Sequence, residues 1–126
     1  MTEHDSDDER SALTGRVIGA FKDFYHDVGP GHSERVYANG MCVALQYVGI
    51  RYEREVRYPV IYRGVEIGLY KADLVVEGRL LVELKCADVI VKQHIRQVLY
   101  YLKASRLHLG LILNFGQSPI VKRVVR

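Results

Sequence analysis

Two acidic residues and one lysine near the middle of the chain have types and spacing that suit metal-dependent hydrolysis. Nine residues separate Asp73 from Glu83, and Lys85 follows Glu83 after one further residue. Two adjacent carboxylates supply the oxygen ligands that a hard cation such as Mg²⁺ prefers. A bound cation can activate water and offset charge on a phosphodiester, and a lysine can neutralise more of that charge. These residues therefore predict phosphodiester hydrolysis if folding brings them together.

The register of two predicted strands would place these three side chains on one face of a sheet. The strands span residues 65–76 and 80–85, and the turn between them contains Gly78, which accommodates a positive φ. This turn predicts that Asp73 lies opposite Glu83, and alternate residues along each strand share a face. The opposite face then carries only apolar side chains: Leu74, Val76, Leu80, Val82 and Leu84. A slip of one residue would mix charges into that apolar set, so the hydrophobic pattern selects this register.

Two interpretations of the charged group are open at this point. Directly opposed carboxylates repel each other, and a divalent cation between them would remove that repulsion. Alternatively, Lys85 forms an ordinary salt bridge with Asp73 or Glu83 on a solvent-exposed face. The apolar neighbour Leu81 and the helix that must cross nearby favour a partly buried site, where perturbed charges more often mark function.

Helices and strands follow one another in an order typical of a mixed α/β domain. Apolar residues recur at helical spacing from Leu13 to Val28 and again after Ser33, a predicted N-cap, while Gly49 is placed to end the second helix. The predicted elements are helices over 13–28, 34–48 and 89–105 and strands over 52–62, 65–76, 80–85, 109–115 and 120–125. This α-α-β-β-β-α-β-β order predicts a mixed β-sheet flanked by helices, an α/β sandwich.

Length and charge predict one domain preceded by an acidic leader. The 126 residues suffice for a single core. Residues 1–11 are predicted to be a disordered acidic leader because they offer little apolar surface to bury, and residues 12–126 form the domain. The rest of the chain is basic, which permits a polyanionic partner. No apolar run approaches the roughly 20 residues that span a bilayer, and two widely spaced cysteines favour a reduced, cytoplasmic protein.

Several short motifs match a known family in the same order along the chain. Asp73 with Glu83-Leu84-Lys85 resembles the D-x(n)-E-x-K signature of the PD-(D/E)xK nuclease superfamily. Residues 31–37 (GHSERVY) resemble the G-x-x-E-x-x-Y motif of that superfamily's GxxExxY family. Three further stretches strengthen the resemblance: ADLVV at 72–76, QVLYYLK at 97–103 and GLILNFG at 110–116. The proline of the usual "PD" pair is Ala72 here.

The resemblance covers the chain from about Leu13 and implies a PD-(D/E)xK nuclease-like domain over 12–126 with a restriction-endonuclease-like sandwich fold. It implies a Mg²⁺- or Mn²⁺-dependent nuclease in which Asp73, Glu83 and the backbone carbonyl of Leu84 bind the metal and Lys85 is catalytic. Glu34 would be a further ligand, directly or through water. The alternative for Glu34 is a first-turn glutamate favoured by the helix dipole.

Residues of the third helix resemble a supporting motif. Gln97 and Tyr101 match the Q-x-x-x-Y motif of the RecB-type exonuclease branch, and their i, i+4 spacing places both on one helix face. There they would contact the nucleic-acid backbone or steady Lys85, although Tyr101 also suits core packing. His94, one turn before Gln97, would line the site or simply form a hydrogen bond at the surface.

The resemblance implies nucleic acid as the partner, with DNA favoured over RNA and no membrane. A homodimer or a larger complex is an open alternative, because the chain shows no recognition-helix motif and no zinc module that would read a sequence. A non-catalytic module that binds nucleic acid or a protein is the competing function. Degenerate relatives of that kind usually lose a carboxylate or the lysine, and this chain keeps all three.

Overall fold

The computed structural model describes residues 11–126 in full and the backbone of residues 7–10 as the start of a helix. The elements are α1 (Asp7–Val28), α2 (Glu34–Tyr47), β1 (Tyr52–Tyr62), β2 (Val65–Val76), β3 (Leu80–Lys85), α3 (Lys92–Ser105), β4 (Leu109–Phe115) and β5 (Pro119–Val125). This order and these types are those predicted from the sequence.

Helix α1 begins at Asp7, so it extends into the segment predicted as a disordered leader. Acidic residue types such as those at 7–9 are favoured in the first turn of a helix because the positive end of the helix dipole stabilises negative charge. The prediction of disorder for residues 1–6 lies outside the described residues. None of the helices in the described part of the chain is long and apolar enough to cross a bilayer.

The sheet contains five strands in the order β1-β2-β3-β4-β5. Neighbouring strands are antiparallel except β3 and β4, which are parallel and are joined by the crossover helix α3. Helices α1 and α2 pack on one face and α3 packs on the other, so a separate apolar core lies on each face. This mixed sheet with helices on both faces has the restriction-endonuclease-like order that was predicted.

The ends of α2 and α3 are set by local interactions. The Ser33 hydroxyl accepts a hydrogen bond from the Val36 amide at 3.3 Å and caps α2, as predicted. Gly49, with φ of 74°, follows the helix and reverses the chain. Helix α3 begins at Lys92, three residues later than the predicted start near residue 89, because residues 86–91 form the loop that leaves β3.

The two faces of the β1–β2 hairpin exchange sides of the sheet halfway along its length. Leu74 packs into the core beneath α1 and α2, whereas Ala72, two residues earlier on the same strand, packs into the core beneath α3. In a regular strand both side chains would share a face. The change occurs at Asp73 and its neighbour across the hairpin, Glu55, which has a φ of 55° and which the ladder between the two strands skips. The local distortion therefore falls at one of the predicted site residues.

Candidate active site

The predicted register between β2 and β3 is confirmed over three residue pairs and then ends. Val76 pairs with Leu80, Val75 with Leu81 and Leu74 with Val82. The ladder does not continue to Asp73 and Glu83, so the prediction of a direct strand pair at that point is wrong. Strand β2 turns over at Asp73 and diverges from β3, which leaves a fork between the two strands.

Side chains bridge this fork in place of the missing ladder bonds. The Asp73 amide donates to Glu83 Oε1 at 3.0 Å, and the Leu84 amide donates to Asp73 Oδ2 at 2.8 Å. Each carboxylate therefore accepts a hydrogen bond from the backbone of the opposite strand. The structure brings the two predicted acids together, although through these reciprocal bonds and not through a shared strand face.

Glu83 is an acid in a buried position, with 3% of its surface exposed. Burial raises the pKa of its carboxyl to about 9, and the nearby charge of Asp73 adds to the rise. A buried carboxyl beside a second acid is disfavoured in its ionised form unless a compensating charge is present. Glu83 therefore holds a proton at neutral pH unless a cation takes its place.

Lys85 is held by a chain of polar contacts that begins on α3. Its Nζ donates to Gln97 Oε1 at 3.0 Å, and Gln97 Nε2 donates to the Tyr101 hydroxyl at 3.2 Å. Burial raises the pKa of Tyr101 to about 12, and the charges of Glu83 and Asp73 contribute to the rise. Tyr101 thus remains a neutral phenol that fixes the amide orientation of Gln97, whose carbonyl oxygen then faces the lysine.

This chain of contacts makes Gln97 a positioning residue with a testable effect. Gln97→Ala removes the acceptor for Lys85, so the phosphodiester hydrolysis predicted from the sequence should slow by roughly 10- to 100-fold because the ammonium group loses its fixed position. Gln97→Glu keeps an acceptor and should retain more activity, with the loss in kcat and little change in KM. The matched control is Gln93→Ala, an exposed glutamine one turn earlier on α3. Equal rates for Gln97→Ala and Gln93→Ala would contradict this role.

Glu34 lies in the first turn of α2, exposed to solvent, and lines the same cleft of about 580 Å³ as Asp73 and Leu84. The loop before it is shaped by Tyr37, which is fully buried. The Tyr37 hydroxyl donates to the Gly29 carbonyl at 2.6 Å and accepts from the His32 amide at 3.3 Å, while its ring stacks on Phe115 at 4.1 Å. Tyr37 therefore fixes the approach of the chain to Glu34.

His94 takes part in a local hydrogen bond at the start of α3. Its Nδ1 accepts from the Val91 amide at 3.2 Å. This contact corresponds to the hydrogen-bonding alternative considered for this residue.

One residue that sequence reasoning did not single out supports the loop after Lys85. Asn114 on β4 is almost fully buried, accepts from the Ala87 amide at 2.9 Å and donates to the Ala87 carbonyl at 2.8 Å. The paired bonds tie the exit of β3 to the neighbouring strand. The available signal was a lone polar residue inside an otherwise apolar strand, because a buried amide requires hydrogen-bond partners.

The donor set at the fork suits a cation that keeps much of its hydration. Among residues 11–126, no three side chains of histidine, cysteine, aspartate or glutamate form a cluster that could hold a metal. Mg²⁺ commonly binds through only one or two carboxylates, with water and substrate phosphate completing its shell. Asp73, Glu83 and the Leu84 carbonyl meet that requirement, and the charge conflict between the two acids is one that a cation would relieve.

Comparisons with known proteins agree with this architecture. The family model described as the PD-(D/E)XK nuclease superfamily matches residues 11–126. No curated protein matches the chain. The crystal structure of SSO0001 is similar, with a TM-score of 0.57 and 15% sequence identity over 73% of this chain. The chain spans 49% of the length of that structure, and at this identity the likeness shows the fold alone. Because the family model covers almost all of the chain, the protein belongs to the PD-(D/E)XK nuclease superfamily.

Proposed function

We propose that this domain is a Mg²⁺- or Mn²⁺-dependent nuclease that hydrolyses phosphodiester bonds in nucleic acid, with DNA preferred over RNA. The observation that carries the proposal is the fork between β2 and β3. Two acids contact each other there, and a lysine with a fixed side chain lies two residues beyond the second acid. Each component that the superfamily signature requires is thus present at one place.

Asp73, Glu83 and the Leu84 carbonyl would hold the cation. When bound, such a cation lowers the pKa of a water molecule and offsets charge on the phosphodiester. Glu34 faces the same cleft from α2, and we propose that it contributes through water, since it does not form a three-acid cluster with the other two. Asp73 also keeps its bond to the Leu84 amide, which fixes the position of the carboxylate.

Lys85 would act on the reacting atoms from the α3 side. Its ammonium group can orient the attacking water and stabilise negative charge that develops on the phosphoryl oxygens. Gln97 and Tyr101 keep this group at the end of β3 through neutral contacts, so they leave the positive charge of the lysine available. The two acids would thus act from within the fork, and the ammonium group of Lys85 would act from beside it.

The motif at 31–37 supports membership in the GxxExxY family, which we propose within the superfamily. Its glutamate faces the candidate site, and its tyrosine orders the loop that precedes α2. We further propose a cytoplasmic location, in keeping with the two unpaired cysteines, Cys42 and Cys86. Assembly into a homodimer or a larger complex would supply the substrate selection for which the sequence shows no recognition motif.

Metal titration and cleavage assays test the proposal. Mg²⁺ or Mn²⁺ should bind with release of a proton near neutral pH, because the cation displaces the proton held by Glu83. Calorimetry in buffers of different ionisation enthalpy measures that proton. Labelled single-stranded, duplex and branched DNA, and RNA, should then be cut only with the metal present. Binding of nucleic acid with no cleavage of any substrate would instead support the non-catalytic module.

A further inference from the structure

A cleft on the α2 side of the fork contains two arginines beside the candidate metal ligands. The cleft, about 580 Å³ in volume, is lined by Glu34, Arg35, Asn39, Arg54, Glu55 and Asp73, among others. Its charged groups come from α2 and from the two strands of the hairpin. The same cavity is therefore lined by Glu34 and Asp73 of the candidate site and by two guanidinium groups.

The strand pairing places Arg54 on the side of the sheet that forms the cleft. Arg54 pairs across the hairpin with Leu74, which packs beneath α1 and α2, and paired residues share a face. Arg54 thus lies on the α2 side of the sheet. Val56, two residues further along β1, pairs with Ala72, which packs beneath α3. Arg54 and Val56 therefore lie on opposite faces of the sheet because the hairpin reverses its faces at Glu55.

Helix α2 supplies the facing side of the cleft. Arg35 and Asn39 are four residues apart and therefore share one face of the helix. The helix begins at the cleft, where the Ser33 cap and the buried Tyr37 fix its first turn. The donors on this side are consequently carried by a rigid element and not by a loop.

Neither guanidinium forms an ion pair with a side chain of residues 11–126. Over residues 11–126, Arg35 and Arg54 have no hydrogen-bond or ion-pair partner, even though three carboxylates line the same cavity. Two of those acids have other contacts: Glu55 faces Lys71 at 3.9 Å, and Asp73 accepts from the Leu84 amide. Two planar groups suited to phosphate oxygens thus remain available next to acids suited to a cation.

We infer that Arg35, Arg54 and Asn39 form a binding subsite for a backbone phosphate that neighbours the scissile phosphate on the strand being cut. This inference rests on the proposed nuclease function, because Asp73 and Glu34, which line the same cleft, set where the scissile group lies. The strand enters along α2, so the arginines determine its position and add no sequence preference.

Binding measurements on charge variants test this subsite. Arg54→Gln and Arg35→Gln are compared with Arg57→Gln, an exposed arginine on β1 that does not line the cleft. All are made in a Lys85→Met background so that the strand stays intact. Affinity for labelled single-stranded DNA, RNA and duplex DNA is measured in Mg²⁺ over a series of KCl concentrations. Cleavage by the wild-type protein is assayed in parallel.

Each cleft variant should weaken binding about ten-fold and lower the slope of log affinity against log salt by about one, for every sequence tested. Arg57→Gln should change affinity by no more than about two-fold, since its charge acts only at a distance. Arg54→Lys should retain most of the salt slope because it retains the charge. Equal losses of affinity in Arg54→Gln and Arg57→Gln would overturn the proposed subsite. Cleavage by the wild-type protein in the same experiment would still support the proposed nuclease function. Failure of the wild-type protein to bind or cut any substrate would overturn both.

Discussion

Replacing Lys85 by methionine is expected to slow nucleic-acid cleavage by about 10²- to 10³-fold while the fold and metal binding remain. Methionine preserves most of the length and the apolar part of the side chain, so packing against α3 is kept. The change removes the ammonium group that Gln97 holds at 3.0 Å beside the fork. The expected effect is on kcat, because the charge acts on the transition state more than on the bound substrate.

Three comparisons make this result specific. Asp73→Asn should lose both metal binding and cleavage, because it removes a ligand charge, whereas Lys85→Met should lose cleavage alone. Lys122→Met removes an exposed lysine on β5 and should leave the rate unchanged. Thermal melts by circular dichroism verify folding. Full activity in Lys85→Met would show that the lysine at the end of β3 is not catalytic.

The sequence allowed most of the fold to be predicted because its local signals are consistent. Period-2 patterns, the breaks at Gly49 and Gly78 and the Ser33 cap each act within a few residues of where they occur. The apolar alternation of Leu74, Val76, Leu80 and Val82 is sufficient to set the register of β2 on β3, and the structure has that register.

The features that could not be predicted depend on tertiary contacts. Glu55 has positive φ although glutamate carries no local preference for it, so the reversal of the hairpin left no signal in the sequence. That reversal ends the ladder before Asp73 and opens the fork. The contact between Lys85 and Gln97 and the bonds of Asn114 to Ala87 likewise join segments that are distant in sequence. Residue types in the site were predictable, whereas the geometry that connects them required the assembled sheet.

The contact between the two acids of the fork should also make the stability of the domain depend on pH. Glu83 is nearly fully buried and contacts the Asp73 backbone, and its pKa is raised from the unfolded value of 4.5 to about 9. A group whose folded pKa is raised contributes stability that is complete below the unfolded pKa and is lost as pH rises toward the folded one. The metal-free domain should therefore weaken between pH 4.5 and pH 9, the interval set by these two pKa values.

Glu83→Gln should consequently stabilise the metal-free domain at pH 7 by on the order of 3 kcal/mol. In the wild-type protein, ionisation of Glu83 stabilises the unfolded chain at this pH, and glutamine cannot ionise. Glutamine keeps an oxygen that can accept from the Asp73 amide. The free energy of unfolding is measured by urea denaturation in EDTA at several pH values. The advantage should vanish below about pH 4.5, the unfolded pKa.

Added Mg²⁺ should make the wild-type protein more stable than Glu83→Gln. A ligand that binds only the folded state stabilises it in proportion to the logarithm of its concentration, so the wild-type protein gains while Glu83→Gln, lacking a ligand charge, gains little and does not cut. Glu66→Gln, an exposed change on β2, should alter neither measurement by more than about 0.5 kcal/mol. A Glu83→Gln domain less stable than wild type at pH 7 in EDTA would mean that the carboxylate is already compensated inside the fork.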